Sequence, residues 1–182
     1  MADSKDGRVS AVERFAAEAV AFREWAARGT DTGAVSARNA LRCITRLYLA
    51  ALELPPPRSE ELAGQPDANR IEDAEWGVVF TAARRLPLDE YGTVFDPLAV
   101  SSGEPVVGSL ADDIADIYRD VVTGLRAFEA GRMASAVWEW GFGFQHHWGR
   151  HASEAIRALH AWLADHAPDH LVTVPEPGAL RS

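Results

Sequence analysis

One cysteine, a shortage of basic residues and the absence of any long apolar run define this 182-residue chain by exclusion. Cys43 has no second cysteine to pair with, so no disulfide forms within the chain, and its place in an apolar helical pattern points to a reducing compartment. Lys and Arg number 18 against 27 Asp and Glu, giving a formal charge of -9 and a pI near 5.1. Nucleic-acid binding needs cations gathered on one face, so nucleic acid is excluded as the main partner, and an anionic membrane surface would repel the chain. No run of about eighteen apolar residues is present to span a bilayer, and the segment MADSKDGRVS lacks the basic and apolar regions of a secretory signal. A cytoplasmic protein is therefore expected, with neither nucleic acid nor membrane among its partners. Familiar catalytic signatures are missing as well: there is no G-x-S-x-G elbow, no glycine-rich phosphate loop after a strand, no C-x-x-C and no E-x-x-E tandem.

What is present is helical. The 47% hydrophobic content suffices for one core, and apolar residues recur at steps of three and four along most of the chain. Val12, Phe15, Ala19, Phe22 and Ala26 mark a first helix over Val9 to Arg28, stopped by Gly29. A second runs from about Ala34 to Glu53, where Pro55, Pro56 and Pro57 forbid its continuation. Ser59 opens a short turn. A third helix follows Asp67 and ends before Pro87, with Ile71, Val78, Val79, Ala82 and Leu86 inward. Leu88 to Gly108, rich in Pro and Gly, shows no sustained period and reads as an ordered loop pinned by Tyr91, Phe95 and Leu98. A fourth helix starts at Ser109, and Met133 to about His166 reads as the last, longest and most central one. The expected fold is an all-α, single-domain bundle of about five main helices over residues 1–167, with a flexible tail over 168–182.

Two clusters carry chemistry. The run LADDIADIYRD places Asp112, Asp113, Asp116 and Asp120 within nine residues, and carboxylates at i, i+3 and i+7 share a helical face. Capping explains some of them, since Ser109 with Asp112 resembles a capping box and acids favour a first turn. On the wheel Asp113 and Asp120 flank the apolar stripe and reach a neighbouring helix, whereas Asp116 points farther out. The stretch AVWEWGFGFQHHWGRH holds three of six tryptophans, three of six histidines and three glycines. Val137, Trp140, Phe144, His147 and His151 fall on one arc, which places both histidines on the core side. A second apolar arc of Trp138, Phe142, Ala152, Ile156 and Leu163 offers a homodimer surface. Gly141, Gly143 and Gly149 each cost roughly 1 kcal/mol in a helix interior, so a close helix crossing or a tryptophan ring must offset them.

Histidines at i and i+4 can aim two imidazoles at one divalent ion, with a carboxylate from Asp113, Asp120 or Glu18 completing the set. The alternative is that each is a neutral buried histidine held by a hydrogen bond. The candidate pocket comprises Tyr118, Trp140, Phe144, His147, His151, Asp113 and Asp120. The candidate ligands are His147, His151, Asp113 and Asp120, for zinc, manganese or iron.

Three segments, LPLDEYGTVFDPL, SLADDIADIYRDVVTGL and AVWEWGFGFQHHWGRHASEAIRALH, together resemble an uncharacterised bacterial domain family of unknown function, of the DUF5063 type. The resemblance rests on Tyr91, Phe95, Asp96, Pro97, Asp112, Asp113, Asp116, Tyr118, Trp138, Trp140, His147, Trp148, Gly149 and His151. It implies a small cytoplasmic bacterial protein and no particular activity. Without a catalytic signature, the leading expectation is a helical binding or interaction module, homodimeric through the second arc. The rival is a metal-dependent hydrolase with a His/Asp site between the last two long helices, where the ion lowers the pKa of a bound water.

Overall fold

Helices dominate the structure, a computed structural model that describes residues 10–28, 33–56, 70–94, 96–98 and 104–172. The order is α1 (Ala11–Arg28), α2 (Gly33–Ala51), α3 (Asp73–Ala83), β1 (Glu90–Val94), β2 (Pro105–Ser109), α4 (Leu110–Glu129), α5 (Met133–His146), α6 (Trp148–His166) and α7 (Pro168–Leu171). The fold is thus predominantly α, with more helices than the five expected. No described helix is long and apolar enough to cross a membrane.

The helices begin where their end chemistry is satisfied. At α1 the Ser10 N–H donates to Glu13 Oε2 at 2.8 Å and the Glu13 N–H to Ser10 Oγ at 3.2 Å, a reciprocal capping box. At α4 the Asp112 N–H donates to Ser109 Oγ at 3.3 Å, as the Ser-Asp spacing foretells, and the Ser109 hydroxyl donates to Asp89 Oδ1 at 3.0 Å. Ser109→Ala should cost about 1 kcal/mol, the usual worth of such a cap. Urea denaturation of the variant checks this.

The centre of the bundle is α4, which packs against α1, α3, α5 and α6. This corrects the expectation that the last long helix is central. Small residues make it possible: Ala111, Ala115 and Ala127 are buried, and the Trp140 ring lies where a side chain at position 124 would stand, so Gly124 receives it. The Trp140 indole N–H then donates to the Val121 carbonyl at 2.9 Å.

The long helix expected over Met133 to His166 is two helices. They meet at His147, whose φ of -144° and ψ of -87° are not helical. The Trp148 indole N–H turns back to the Trp140 carbonyl at 3.1 Å. Gly149 packs directly on the Phe144 carbonyl, an approach that a Cβ would block. The break also divides the second apolar arc. Ala152 and Leu163 are fully buried and Ile156 is half-buried, while Phe142 stays 44% exposed, so these residues do not form one continuous exposed surface.

The segment read as a loop contains an antiparallel hairpin, with Tyr91 opposite Gly108 and Thr93 opposite Val106. Its strands are short and largely exposed, so they lack the apolar alternation by which strands are read. Leu110 N–H donates to the Asp89 carbonyl at 2.8 Å and ties the hairpin to the start of α4. The expected tail is in part ordered: α7 packs against α6, and Ala167 and Leu171 touch the core. The rest of that tail, the turn at Ser59 and the helix start after Asp67 lie outside the described residues.

Candidate metal centre

The carboxylates of α4 and the histidines around the α5–α6 break face one another. His147 Nδ1 lies 2.8 Å from Asp120 Oδ2, and His151 Nδ1 lies 2.8 Å from Asp113 Oδ1. A carboxylate only accepts, so each imidazole carries its proton on Nδ1 and turns Nε2 away from that partner. Both Nε2 atoms turn toward the same oxygen. Asp116 Oδ2 is 4.0 Å from His147 Nε2 and 3.7 Å from His151 Nε2. One ligand atom from each of these three residues lies within 4.8 Å of the others. Ligands about 2.1 Å from a tetrahedral ion are about 3.4 Å apart, and the distances of 4.0 and 3.7 Å from Asp116 Oδ2 to the two imidazoles lie within about 0.6 Å of that spacing.

Each of the three is braced from behind. The Trp76 indole N–H donates to Asp116 Oδ1 at 2.8 Å, leaving Oδ2 toward the histidines. Behind His151, the Tyr91 hydroxyl donates to Asp113 Oδ2 and lies 3.3 Å from Glu154 Oε2. The hairpin delivers that hydroxyl, because the Tyr91 ring occupies the space over Gly108, where a Cβ would come within 2.6 Å of it. Burial first, then Asp113, pushes the Tyr91 pKa well up, so the hydroxyl stays a donor.

The sequence-derived candidates separate on this geometry. His147, His151, Asp113 and Asp120 come together as expected. Asp113 and Asp120 occupy Nδ1, however, and Asp116 is the carboxylate between the two Nε2 atoms. Trp140 is fully buried in the core, and Tyr118 donates to Glu75 at 2.9 Å; neither lines the site. Phe144 packs its ring on Trp148 and Tyr48. Glu18 pairs with Arg46 at 2.8 Å and is not part of the cluster. The two histidines are not on the core side: their side chains are 47% and 23% exposed, at an opening rather than in packing. Trp76 and Tyr91 carried no sequence signal for this role, whereas the 113, 116, 120 spacing did contain Asp116.

Beside the two histidines is a cavity of about 330 Å³ between the hairpin and α6, lined by His147 and His151 together with Thr93, Asp112, Arg150 and Glu154, among others. Burial, reinforced by Asp116, raises the Asp112 pKa. The only cysteine takes no part: burial pushes the Cys43 thiol up to about 11.

Both histidines have raised pKa values. For His147 the Asp120 hydrogen bond is the main cause. For His151 burial opposes the charge most strongly, but the Asp113 hydrogen bond and the charges of Asp113, Asp116 and Asp112 outweigh it. A histidine whose folded value exceeds its unfolded one stabilises the fold fully below the ordinary value, 6.5, and this contribution fades as pH rises through the folded value. Metal-free protein should therefore lose stability as pH rises above about 6.5 through the raised folded values, which urea midpoints at a series of pH values will register.

A family model described as "Domain of unknown function (DUF5063)" matches residues 9–165. No curated protein matches the chain. The fold is similar to that of a crystal structure of protein BF1032 from Bacteroides fragilis, with 20% identity, a TM-score of 0.69, and coverage of 91% of this chain and 95% of that one.

Proposed function

The chain belongs to the DUF5063 family, and from that premise we propose that its helical core serves to hold one divalent metal ion, bound by His147 Nε2, His151 Nε2 and Asp116 Oδ2, for metal-assisted hydrolysis. The observation that carries the reading is the bracing: both Nδ1 atoms and the outer oxygen of Asp116 are engaged, leaving three inner donor atoms convergent. Metal-ligating histidines characteristically donate their second N–H to a carboxylate, which fixes the tautomer and raises ligand basicity. A neutral structural histidine needs only one such partner.

Three protein ligands leave a coordination position open, the arrangement of catalytic rather than structural sites. The ion would lower the pKa of a water in that position. Asp112 lines the same cavity and is the carboxylate placed to take the water's proton. With such an ion bound, the site would supply a water nucleophile for hydrolysis of a carbonyl or phosphoryl bond, and Asp112 would pass the water's proton on to the leaving group. The binding-module reading has less support, because packing alone does not account for three polar braces around an open cavity.

Zinc or manganese titrated into metal-free protein should bind at about one equivalent, and Asp120→Asn should weaken binding about 10- to 100-fold through loss of the brace on His147. Calorimetry of both proteins measures it. Protein that takes up no ion, and whose urea midpoint is indifferent to zinc, would overturn the metal and leave the interaction module standing.

A further inference from the structure

The cavity beside His147 and His151 does not end there. A groove of about 820 Å³ between the outer edge of β1 and α6 shares Thr93, Val94, Arg150 and Glu154 with it, so the two form one cleft leading away from His147 and His151. Such a volume suits an elongated molecule rather than a water and a small acyl group.

Its two walls differ in chemistry. The hairpin side presents Val94, Pro97, Leu98 and Pro105, with Leu98 88% exposed. The α6 side presents Arg150, Ser153, Glu154 and Arg157, spaced i, i+3, i+4 and i+7 and therefore on one helical face. The groove also holds two carboxylates, Asp96 and Glu154. Asp96 Oδ1 accepts from the Leu98 N–H at 2.9 Å, and Glu154 Oε2 lies 3.3 Å from the Tyr91 hydroxyl. Arg157 keeps its charge in play. It donates from Nη2 to the Gly92 carbonyl at 2.7 Å and lies 6.0 Å from the centre of the Tyr91 ring. A neutral carbonyl and an aromatic ring do not cancel a guanidinium charge, and the remaining N–H groups match a carboxylate or phosphate.

Resting on the metal reading above, we propose that the substrate is an elongated organic anion. Its bond to be hydrolysed lies at the ion, its apolar body follows the Val94, Pro97 and Pro105 wall, and its terminal carboxylate or phosphate is held by Arg157. Arg157 lies six positions after His151, a rise of roughly 9 Å along α6. The anionic group therefore stands that far from the reacting centre.

Hydroxamates, whose head group chelates the ion, test this on zinc-loaded full-length protein. Acetohydroxamate probes the head alone, octanohydroxamate adds an uncharged chain, and suberic acid monohydroxamate adds a chain of similar length ending in a carboxylate. The suberic probe should bind about tenfold more tightly than octanohydroxamate, and added salt should reduce the gain. Arg157→Gln should abolish the gain, Arg157→Lys should keep part of it, and acetohydroxamate should bind all three proteins alike. Equal affinity of the two long probes, an undiminished gain in Arg157→Gln, or tighter binding of an amine-ended chain would overturn the substrate class while leaving the metal in place. Loss of acetohydroxamate binding together with zinc would sink the metal reading, and this inference with it.

Discussion

Asp116→Asn should abolish stoichiometric zinc or manganese binding and leave the fold intact. The substitution is nearly isosteric, and its carbonyl oxygen can still accept the Trp76 indole N–H that now reaches Asp116 Oδ1 at 2.8 Å. What it removes is the charge that a divalent ion needs between two neutral imidazoles. A drop in affinity of at least about 100-fold is expected, beyond the 10- to 100-fold typical of an outer brace. The change also separates two accounts of the histidines. If both are imidazolium ions gathered around a carboxylate, removing that charge should lower their pKa values and weaken the metal-free protein. If they are ligands, the larger effect is on zinc affinity. Calorimetry of metal binding and urea midpoints of metal-free protein read the two quantities separately, and unaltered zinc binding in Asp116→Asn would remove Asp116 from the ligand set.

Gly149→Ala should destabilise the protein by about 3 kcal/mol, the upper part of the range for overpacking a well-filled interior. On helix propensity alone the same change would gain about 1 kcal/mol. The sign therefore reports whether the chain breaks at His147. In the structure the new Cβ would run into the Phe144 carbonyl and crowd the Phe144 ring, at 2.9 Å from Cδ2. Backbone cannot swing aside as a side-chain end can. The relief available is to straighten the junction of α5 and α6, which would carry His147 away from Asp120 and lower zinc affinity along with stability. A stabilised variant would mean that the two helices run on as one.

Why these outcomes were only partly legible beforehand is clear from particular residues. The periodic signal is local, so α1, α2 and α4 were readable to within a few residues, with Ser109 at the right start. The hairpin was not, because its two strands are separated in sequence and show little burial pattern. The α5–α6 break was not either, since His147 lies inside an uninterrupted helical period and the glycines beside it fit a tight crossing as well as a kink. For the site, the wheel correctly brought Asp113, Asp120, His147 and His151 together. It misplaced Asp116, because a wheel measures direction from the helix's own axis and knows nothing of where a broken neighbour places its imidazoles.

The amino-acid sequence by itself determined the helical class, the lack of any disulfide within the chain, the carboxylate spacing at i, i+3 and i+7 and the histidine pair at i and i+4, since each follows from chain geometry over one or two turns. Only the tertiary structure decided which oxygen faces which nitrogen. Asp116 lies between the two Nε2 atoms because α5 stops at His147, α6 leaves at a new angle, and Trp76 and Tyr91 arrive from α3 and the hairpin to hold the acids in place. Those contacts join residues 22 to 40 positions apart, and no local pattern specifies them.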